Sequence, residues 1–465
     1  MGILVPDAPV AAADVSPSRW GSASKPDITL VNLITENVDG ARWLPTGGLY
    51  VASALEAAGH AVEFRDFQLF DAPDPYRPEV VAEYLLQSRA PVLGIGLMID
   101  MLPLTLAAVT LVKQRRPELT IVLGGPGPSN LHEQILSRYP AVDVIVRGEG
   151  ELTAVDLLGA LRRGGDLSAV HGVAFRGADG GVCATPPRPR NKELTDLPRP
   201  AYHCVDTAAY GTYGVLFSRG CIFKCEFCEI PWIWQHTVQR RLIDDIVSEL
   251  IELRDRFGVR RVEILDDLFV SNRRWTREFC QAMIRHRVGI NWSCFGYISL
   301  MTEELMELMA EAGCDGIFYG VETGSQRMIR DTGKKFTVEQ ARQTVLTTTK
   351  YMRPCSSFIW NYPYETLDDF YDTIAEFVYL NNKGSNVRLF MLSPLKPTPF
   401  AGPQYAAQLR FDEDIWCHLL RRRRYIHVAD MIRDDPDLFC AFYHFETEGL
   451  EKKLGIVQNL IRLQE

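Results

Sequence analysis

Three cysteines lie close together in the segment SRGCIFKCEFCEI, residues 218–230. Cys221, Cys225 and Cys228 follow one another with the spacing CxxxCxxC. Zinc sites and iron–sulfur sites usually take four protein ligands. Three thiolates can instead hold three irons of a [4Fe–4S] cube and leave the fourth iron open to a small molecule. The alternatives are a zinc site completed by His236, or three ordinary thiols.

The segment GVLFSRG reads as a buried strand and leads directly into the cysteines. Further strand patterns alternate with helical ones along the chain, namely VEILDD, INWSCFGY, DGIFYGVE, CSSFIWNY and NVRLFMLSP. This alternation predicts a partial (β/α) barrel of parallel strands. Because chemistry in such barrels lies at the carboxyl ends of the strands, we expect the cysteines and the polar strand ends to share one site.

A separate α/β pattern precedes the barrel. Its strand segments are ITLVNLI, AVEFRDF, PVLGIGLMI, LTIVLGGPGPS and VDVIVRGEGE, with helical patterns between them. They predict a doubly wound parallel sheet with a ligand crevice at the carboxyl ends of its strands. Five glycines fall at that edge, Gly47, Gly48, Gly124, Gly125 and Gly148.

The predicted organisation has four parts. A Rossmann-like domain spans residues 1–165, and a proline-rich linker with a small β element spans 166–210. The barrel covers residues 211–405, and a helical, aromatic-rich extension covers 406–465.

The composition excludes several classes of protein. The 465-residue chain has a net charge of -9, which argues against a nucleic-acid partner. No segment is apolar for the length that a bilayer requires, so we expect no membrane span. Eleven scattered cysteines fit reduced thiols better than a disulfide framework, and we therefore expect a cytoplasmic protein.

The chain resembles the radical S-adenosylmethionine (SAM) superfamily, in the branch with an N-terminal cobalamin-binding-type domain. The resemblance rests on CIFKCEFC, ILDDLF, AGCDGIFYGVETGSQ, YPYET and LSPLKPTP, and on PTGGLYVASALEAAGH, VLGGPGPS and VIVRGEGE nearer the N-terminus. It implies that SAM chelates the open iron and that one electron from the cluster cleaves it to a 5′-deoxyadenosyl radical, which removes a hydrogen atom. The expected cofactors are a [4Fe–4S] cluster and SAM, and the expected electron donor is a flavodoxin- or ferredoxin-type protein.

The resemblance also assigns roles to four residues near the cysteines. Phe227 is expected to cover the adenine of SAM. Asp266 and Asp267, at the end of a barrel strand, are expected near the amino group of SAM. Glu322, in GVETG, is expected to approach the ribose or the amino group.

One motif departs from the pattern of the superfamily. The usual GxPGET reads NYPYET here, so that Asn361 and Tyr364 replace glycines. With Tyr362 and Glu365, they predict a polar substrate pocket that holds an acid/base pair, and Tyr213 is a further catalytic candidate. The alternative is that Tyr364 only packs and that Glu365 caps a helix.

Whether the first domain binds cobalamin stays open at this stage. The DxHxxG signature, whose histidine ligates cobalt, is absent from the sequence. The loop Met98–Ile99–Asp100–Met101 places bulky side chains where a cofactor face would need room. The absent signature does not by itself decide the question, but the bulky loop and the compact chain, with some 60 residues after the barrel, favour a domain that keeps its fold without the cofactor.

Two reactions follow from these observations. The favoured one is radical dehydration of an aminosugar, similar to that of the aminoglycoside C3′ dehydratase of apramycin-type biosynthesis, with an NADPH-dependent dehydrogenase as partner. The alternative is a cobalamin-dependent C-methyltransferase. A binding or sensor module is disfavoured because the cysteine motif is intact.

Overall fold

The computed structural model of the protein describes residues 25–34, 41–164, 166–415 and 423–464. The first 24 residues of the predicted N-terminal domain therefore lie outside the description. Two sheets of parallel strands follow one another along the chain, and a C-terminal extension packs against both. The fold is α/β, as the alternating patterns predict.

The first sheet has seven strands in the order β2-β1-β3-β4-β5-β6-β7. Its strands are β1 (Ile28–Asn32), β2 (Val62–Asp66), β3 (Val92–Gly96), β4 (Thr120–Gly124), β5 (Val144–Val146), β6 (Val173–Arg176) and β7 (Val182–Ala184). The first five are parallel, whereas β6 and β7 pair antiparallel at the edge. The small β element expected in the linker is therefore a hairpin that extends this sheet.

Six helices accompany the first sheet. They are α1 (Thr46–Ala57), α2 (Pro78–Leu86), α3 (Leu102–Arg115), α4 (Pro126–Ser129), α5 (His132–Arg138) and α6 (Gly150–Arg162). The central strand β3 reads VLGIG and is buried over its first four residues, as a parallel strand covered on both faces requires. The strand order reverses direction between β1 and β3, which is where doubly wound sheets bind ligands.

The barrel is a sheet of six parallel strands in the order β15-β14-β13-β12-β11-β8, so that β8 and β15 form its two edges. Its strands and the short β9–β10 pair beside them are β8 (Gly214–Val215), β9 (Ser218–Arg219), β10 (Gln239–Arg240), β11 (Arg261–Ile264), β12 (Asn291–Gly296), β13 (Cys314–Glu322), β14 (Arg353–Trp360) and β15 (Asn386–Met391). The helices are α7 (Ile230–Ile233), α8 (Ile243–Phe257), α9 (Arg273–Arg285), α10 (Glu303–Glu311), α11 (Gln326–Asp331), α12 (Val338–Thr348) and α13 (Leu367–Asn382). This arrangement is the partial barrel that the sequence predicts.

The C-terminal extension contacts both domains. It contains the pair β16 (Leu409–Arg410) and β17 (His444–Phe445), and the helices α14 (Ala429–Asp434) and α15 (Leu450–Gln464). Ile432 and Phe439 join the core of the first domain, whereas Val457 of α15 packs against Trp360 at the end of β14. Within the described part of the chain, no helix is long and apolar enough to cross a membrane.

Candidate active site

The cysteine loop begins at a glycine that no other residue can replace without strain. Gly220 follows β9 with φ of 107°, and a Cβ built there would lie 2.0 Å from the carbonyl oxygen of Thr237. This backbone turns Cys221, Cys225 and Cys228 out from the end of the first barrel strand. All three thiols are partly buried, as protected metal ligands should be.

The spacing of the three sulfurs distinguishes a cluster from a single ion. Thiolates on one tetrahedral zinc would lie about 3.8 Å apart, given Zn–S bonds of about 2.3 Å. The three sulfurs do not form a group within 4.8 Å of one another, nor does His236 join them in one. The His236 ring instead packs edge-on against Trp232, with 5.4 Å between ring centroids. A cubane spreads its thiolates over different irons, and the loop fits that group.

Burial raises the pKa of all three cluster thiols. The pKa of Cys228 rises to about 12 because the thiol is largely removed from water. The pKa values of Cys221 and Cys225 are raised by burial as well, against the opposing charge of Lys334. Loading a cluster must therefore displace thiol protons, as metal binding by cysteine generally does.

Asp266 and Asp267 lie directly beneath the cysteine loop. Asp266 is fully buried, and its carboxylate accepts hydrogen bonds from the Phe217 amide (2.7 Å) and the Ser218 hydroxyl (2.6 Å). Asp267 accepts one from the Gly220 amide at 2.8 Å. Burial raises the pKa of Asp266 to about 6. Both carboxylates thus hold the loop in place, and their contact with the SAM amino group stays a prediction.

A buried ion pair lies beside the cysteine loop. The Glu322 carboxylate lies 2.8 Å from the Lys334 ammonium, and both side chains are 6% exposed. Lys334 also donates to the Gly320 carbonyl and lies 5.6 Å from the Phe227 ring centroid. Glu322 has φ of 69°, a left-handed conformation that is uncommon for a residue with a side chain. Such outliers concentrate at functional sites.

Lys334 is a residue that the sequence reasoning missed. It lies in the segment TGKKF, between α11 and α12, and only the tertiary fold brings it to Glu322. A Cβ at Gly320 would lie 2.1 Å from the Glu322 carboxylate, which explains the glycine in the GVETG strand.

Aromatic side chains form a wall next to the ion pair. The Phe227 ring meets Tyr362 edge-on at 6.2 Å, and Tyr362 lies 5.9 Å from Tyr364. Tyr362 is fully buried, and its hydroxyl has no hydrogen-bond partner within the described residues. The Tyr364 hydroxyl donates weakly to Glu226 at 3.4 Å. Phe227, Tyr362 and Tyr364 thus pack together in one cluster, and their role in a substrate pocket stays a prediction.

Glu365 is engaged by the C-terminal extension. Its carboxylate lies 2.8 Å from the Lys453 ammonium of α15, with both side chains fully buried, and accepts a 2.9 Å hydrogen bond from the Asn361 amide. Asn361, with φ of 71°, accepts from Thr447 and donates to the Phe445 carbonyl. Glu365 therefore anchors α15 to the end of β14, and its acid/base role stays a prediction.

A buried arginine joins the cysteine loop to the first domain. Arg219, two residues before Cys221, pairs with Glu149 at 2.9 Å and with Glu151 at 2.5 Å. The two glutamates come from the GEGE segment that follows β5. The carboxyl edge of the first sheet therefore lies directly against the cysteine loop of the barrel.

Two domain families match the chain. The B12 binding domain matches residues 34–158, and the radical SAM superfamily matches residues 215–377. The chain carries a B12-binding domain and a radical SAM domain. A [4Fe–4S] cluster and SAM are the cofactors that the second domain implies, and the cysteine loop fits them.

Several curated proteins are similar to the chain, at 25–28% identity over the aligned parts. An uncharacterized methyltransferase of Pyrococcus horikoshii is 27% identical over 346 residues, covering 73% of this chain and 74% of the relative. The anaerobic magnesium-protoporphyrin IX monomethyl ester cyclase of Synechocystis is 28% identical over 309 residues. That match covers 65% of this chain and 61% of the cyclase, which is less than two thirds of its length.

A solved structure confirms the architecture. The radical SAM methyltransferase TsrM of Kitasatospora setae, with tryptophan and a SAM analogue bound, has a TM-score of 0.72 at 18% identity. The alignment covers 92% of this chain and 88% of that one. The similarity therefore includes the arrangement of the B12-binding domain and the radical SAM domain.

The structure corrects the prediction for Tyr213. This residue immediately precedes β8, whereas the cluster cysteines follow the carboxyl end of that strand. Its hydroxyl donates to the Thr207 carbonyl at 2.5 Å. Because the strand separates it from the cysteine loop, Tyr213 lies at the amino edge of the barrel and not with the other candidates.

Part of the glycine-lined edge of the B12-binding domain is open, whereas the loop after β3 fills another part, where a Cβ built at Gly127 would lie 2.7 Å from the Met98 backbone. Met101 is fully buried in the domain core, so it does not fill the cofactor face, although Met98 is exposed. No described atom lies within 4 Å of a Cβ built at Gly47, Gly96 or Gly148, and all three flank the carboxyl edge. These residues fit a large flat ligand docked against the backbone.

His60 is not placed to bind a ligand in the crevice of the B12-binding domain. His60 follows the end of α1 and interacts with Asp27 and Arg162. Because α1 runs from the carboxyl edge to the amino edge of the sheet, His60 lies away from the crevice.

Proposed function

We propose that this radical SAM enzyme is a cobalamin-dependent C-methyltransferase that acts on a small polar substrate. The observation that carries the proposal is the Arg219 ion pairs, which hold the open crevice of the B12-binding domain against the cysteine loop. When bound, the cluster and SAM supply a hydrogen-abstracting radical, and cobalamin supplies a methyl group. Each cofactor site therefore opens toward the other.

The chain's own residues prepare the substrate site. Lys334 and Glu322 present a fixed pair of charges beside Phe227, so that polar groups of SAM meet partners that are already oriented. The buried Tyr362 hydroxyl lacks a partner within the described chain and is free to bind a polar group of the substrate. An unsatisfied buried hydroxyl costs about 1–3 kcal/mol, which a bound substrate would offset.

The names of two similar proteins also support a methyltransferase, although the similar proteins do not all share one reaction. The Pyrococcus protein and TsrM are named as methyltransferases, whereas the Synechocystis protein is named as a cyclase. Because identities are below 30% and the cyclase match is partial, the substrate and the reaction are our proposal.

The decisive experiment is reconstitution with iron and sulfide, with and without cobalamin, followed by gel filtration. We expect wild-type protein to retain one cobalamin per chain and to transfer a methyl group from labelled SAM. Gly96→Leu should fill the open crevice and weaken cobalamin retention by about tenfold or more, without changing the iron content. Gly455→Leu, an equally open glycine in α15, is the matched control.

Dehydration of an aminosugar remains the second candidate, and one observation favours it. Burial raises the pKa of Tyr362 well above its ordinary value, so the hydroxyl stays protonated and available to a leaving hydroxyl group. Wild-type protein that cleaves SAM but retains no cobalamin, and forms a product lighter by one water, would replace the methylation proposal by this one. An NADPH-dependent partner would then reduce the product.

The electron donor is a separate part of the proposal. A flavodoxin- or ferredoxin-type protein must deliver one electron for each SAM that is cleaved. We expect SAM cleavage with reduced flavodoxin as well as with dithionite. If SAM is cleaved with dithionite but not with reduced flavodoxin, flavodoxin is not the donor, and the methyltransferase proposal is unchanged.

A further inference from the structure

A second group of potential metal-ligating side chains lies where the end of α1 meets the linker. Glu56, in the last turn of α1, meets His203 and Cys204 on the short turn Tyr202–Cys204 of the linker. Within the described ranges, this is the group of three or more potential ligands whose donor atoms all lie within 4.8 Å of one another. We call it the α1–linker cluster.

The donor atoms form a triangle of specific size. The Cys204 sulfur lies 3.6 Å from His203 Nε2 and 3.5 Å from Glu56 Oε1, and His203 Nε2 lies 3.2 Å from Glu56 Oε1. Bonds of about 2.0–2.3 Å from a tetrahedral zinc would place such sulfur, nitrogen and oxygen donors about 3.4–3.6 Å apart. The triangle therefore matches one face of a zinc tetrahedron to within a few tenths of an ångström.

The surroundings suit a cation with one open position. Glu56 lies at the carboxyl end of α1, where the helix dipole favours positive charge. The His203 side chain is 61% exposed and the Glu56 side chain 31%, so that water can reach a fourth coordination position. The Ala201 amide donates to the Leu49 carbonyl of α1 at 3.1 Å, which fixes the turn against the helix before any metal binds.

We propose that the α1–linker cluster binds one Zn²⁺ through the Glu56 carboxylate, His203 Nε2 and the Cys204 thiolate, with water as the fourth ligand. Binding replaces the Cys204 thiol proton, which is released to solvent. The ion would fasten the linker to the B12-binding domain, independently of the reaction at the cysteine loop.

The test uses protein with its iron–sulfur cluster reconstituted, treated with a mild chelator, incubated with Zn²⁺ and desalted. Metal analysis should find one zinc per chain in addition to the cluster irons. His203→Ala and Cys204→Ser should each lose that zinc while keeping the iron. Cys183→Ser, at the exposed cysteine of β7, should keep both metals and is the matched control.

A measurement on the unmodified chain does not depend on how the variants fold. Zinc X-ray absorption of the wild type should show a single sulfur at about 2.3 Å together with nitrogen and oxygen at about 2.0–2.2 Å. Zn²⁺ should also raise the melting temperature of the wild type and of Cys183→Ser, but not of Cys204→Ser. A zinc with two or more sulfur ligands, equal zinc in all variants, or no zinc beyond the irons would overturn the proposal.

Discussion

The carboxyl edges of the two sheets differ in the space that they leave, although the buried ion pairs of Arg219 with Glu149 and Glu151 lie where the two edges meet. At the edge of the B12-binding domain, Gly47, Gly96 and Gly148 leave space that no described side chain fills. At the edge of the radical SAM domain, charged side chains are buried in pairs, Glu322 with Lys334 and Glu365 with Lys453.

The difference indicates how each edge works. An open, glycine-lined edge receives a large ligand that brings its own chemistry, so it needs shape more than charge. A closed edge with buried ion pairs is arranged before any ligand arrives, because a buried charge is tolerated only when its partner is in place. Substitutions at the edge of the radical SAM domain should therefore have large effects on stability or activity. Substitutions at the edge of the B12-binding domain should have small effects on stability.

The largest effect is expected at the cluster ligands themselves. Cys225→Ala removes one of three thiolates, so we expect loss of the visible cluster absorbance and of SAM cleavage after reconstitution. The control is Cys355→Ala, a partly buried cysteine of β14, which should retain both. A Cys225→Ala protein with a full iron complement would show that the ligand assignment is wrong.

The next largest effect is expected at the ion pair between β14 and α15. Lys453→Met leaves the buried Glu365 carboxylate unpaired, which should lower the free energy of unfolding by about 3–5 kcal/mol in urea titrations. Lys452→Met, at the exposed neighbouring lysine, should change it by less than about 1 kcal/mol. Equal losses in the two variants would mean that the pair contributes no more than a surface charge.

The Lys453→Met variant should also acquire a specific pH dependence. Burial raises the pKa of Glu365, and Lys453 opposes that rise in the wild type. Without Lys453, the folded chain binds a proton more tightly than the unfolded chain does, so stability falls as pH rises above the unfolded pKa of about 4.3. The deficit relative to wild type should be larger at pH 8 than at pH 5. Adding Glu365→Gln should remove this dependence.

A smaller effect is expected at the ion pair beside the cysteines. Lys334→Met removes the charge next to Cys225 and leaves Glu322 without its partner. We expect SAM cleavage to fall by about 10–100-fold, as for other groups that orient metal ligands. Lys335→Met, at the exposed adjacent residue, should leave the rate within about twofold of wild type. If both variants cleave SAM equally well, the pair does not orient the site.

The smallest effect is expected at the open edge. Gly47→Ala, in the first turn of α1, should raise the free energy of unfolding by up to about 1 kcal/mol, because alanine restricts the unfolded chain and meets no atom within 4 Å. Gly48→Ala should not raise the free energy of unfolding in this way, because its Cβ would lie 2.9 Å from the Phe64 ring. A Gly47→Ala protein that is less stable than the wild type would show that this position is not open.

The sequence was sufficient for the fold and for the type of site. The alternation of strand and helix patterns predicted the doubly wound sheet and the partial barrel, because period and turn residues are local properties. The cysteine spacing predicted the cluster loop for the same reason. The position of Tyr213 could also have been read from the sequence, since it precedes its strand.

Other features required the packed chain. The partner of Glu322 is a lysine between two helices, and nothing in the segment TGKKF distinguishes it from its exposed neighbour. The direction of Met101 depends on how the loop after β3 packs, so its bulk alone could not show that this side chain joins the domain core. The ion pair of Glu365 depends on Lys453 of α15, which lies 88 residues further along the chain.

The left-handed backbone at Glu322 and Asn361 has an evolutionary consequence. Glycine would adopt that conformation freely, whereas a residue with a side chain gives up of order 1–3 kcal/mol. A Glu322→Gly change would relieve that strain but leave the buried Lys334 ammonium without its partner, which costs about 3–5 kcal/mol. At both positions the side-chain contacts therefore outweigh the backbone strain, because Asn361 also makes two side-chain hydrogen bonds, and selection for thermal stability alone should retain both side chains.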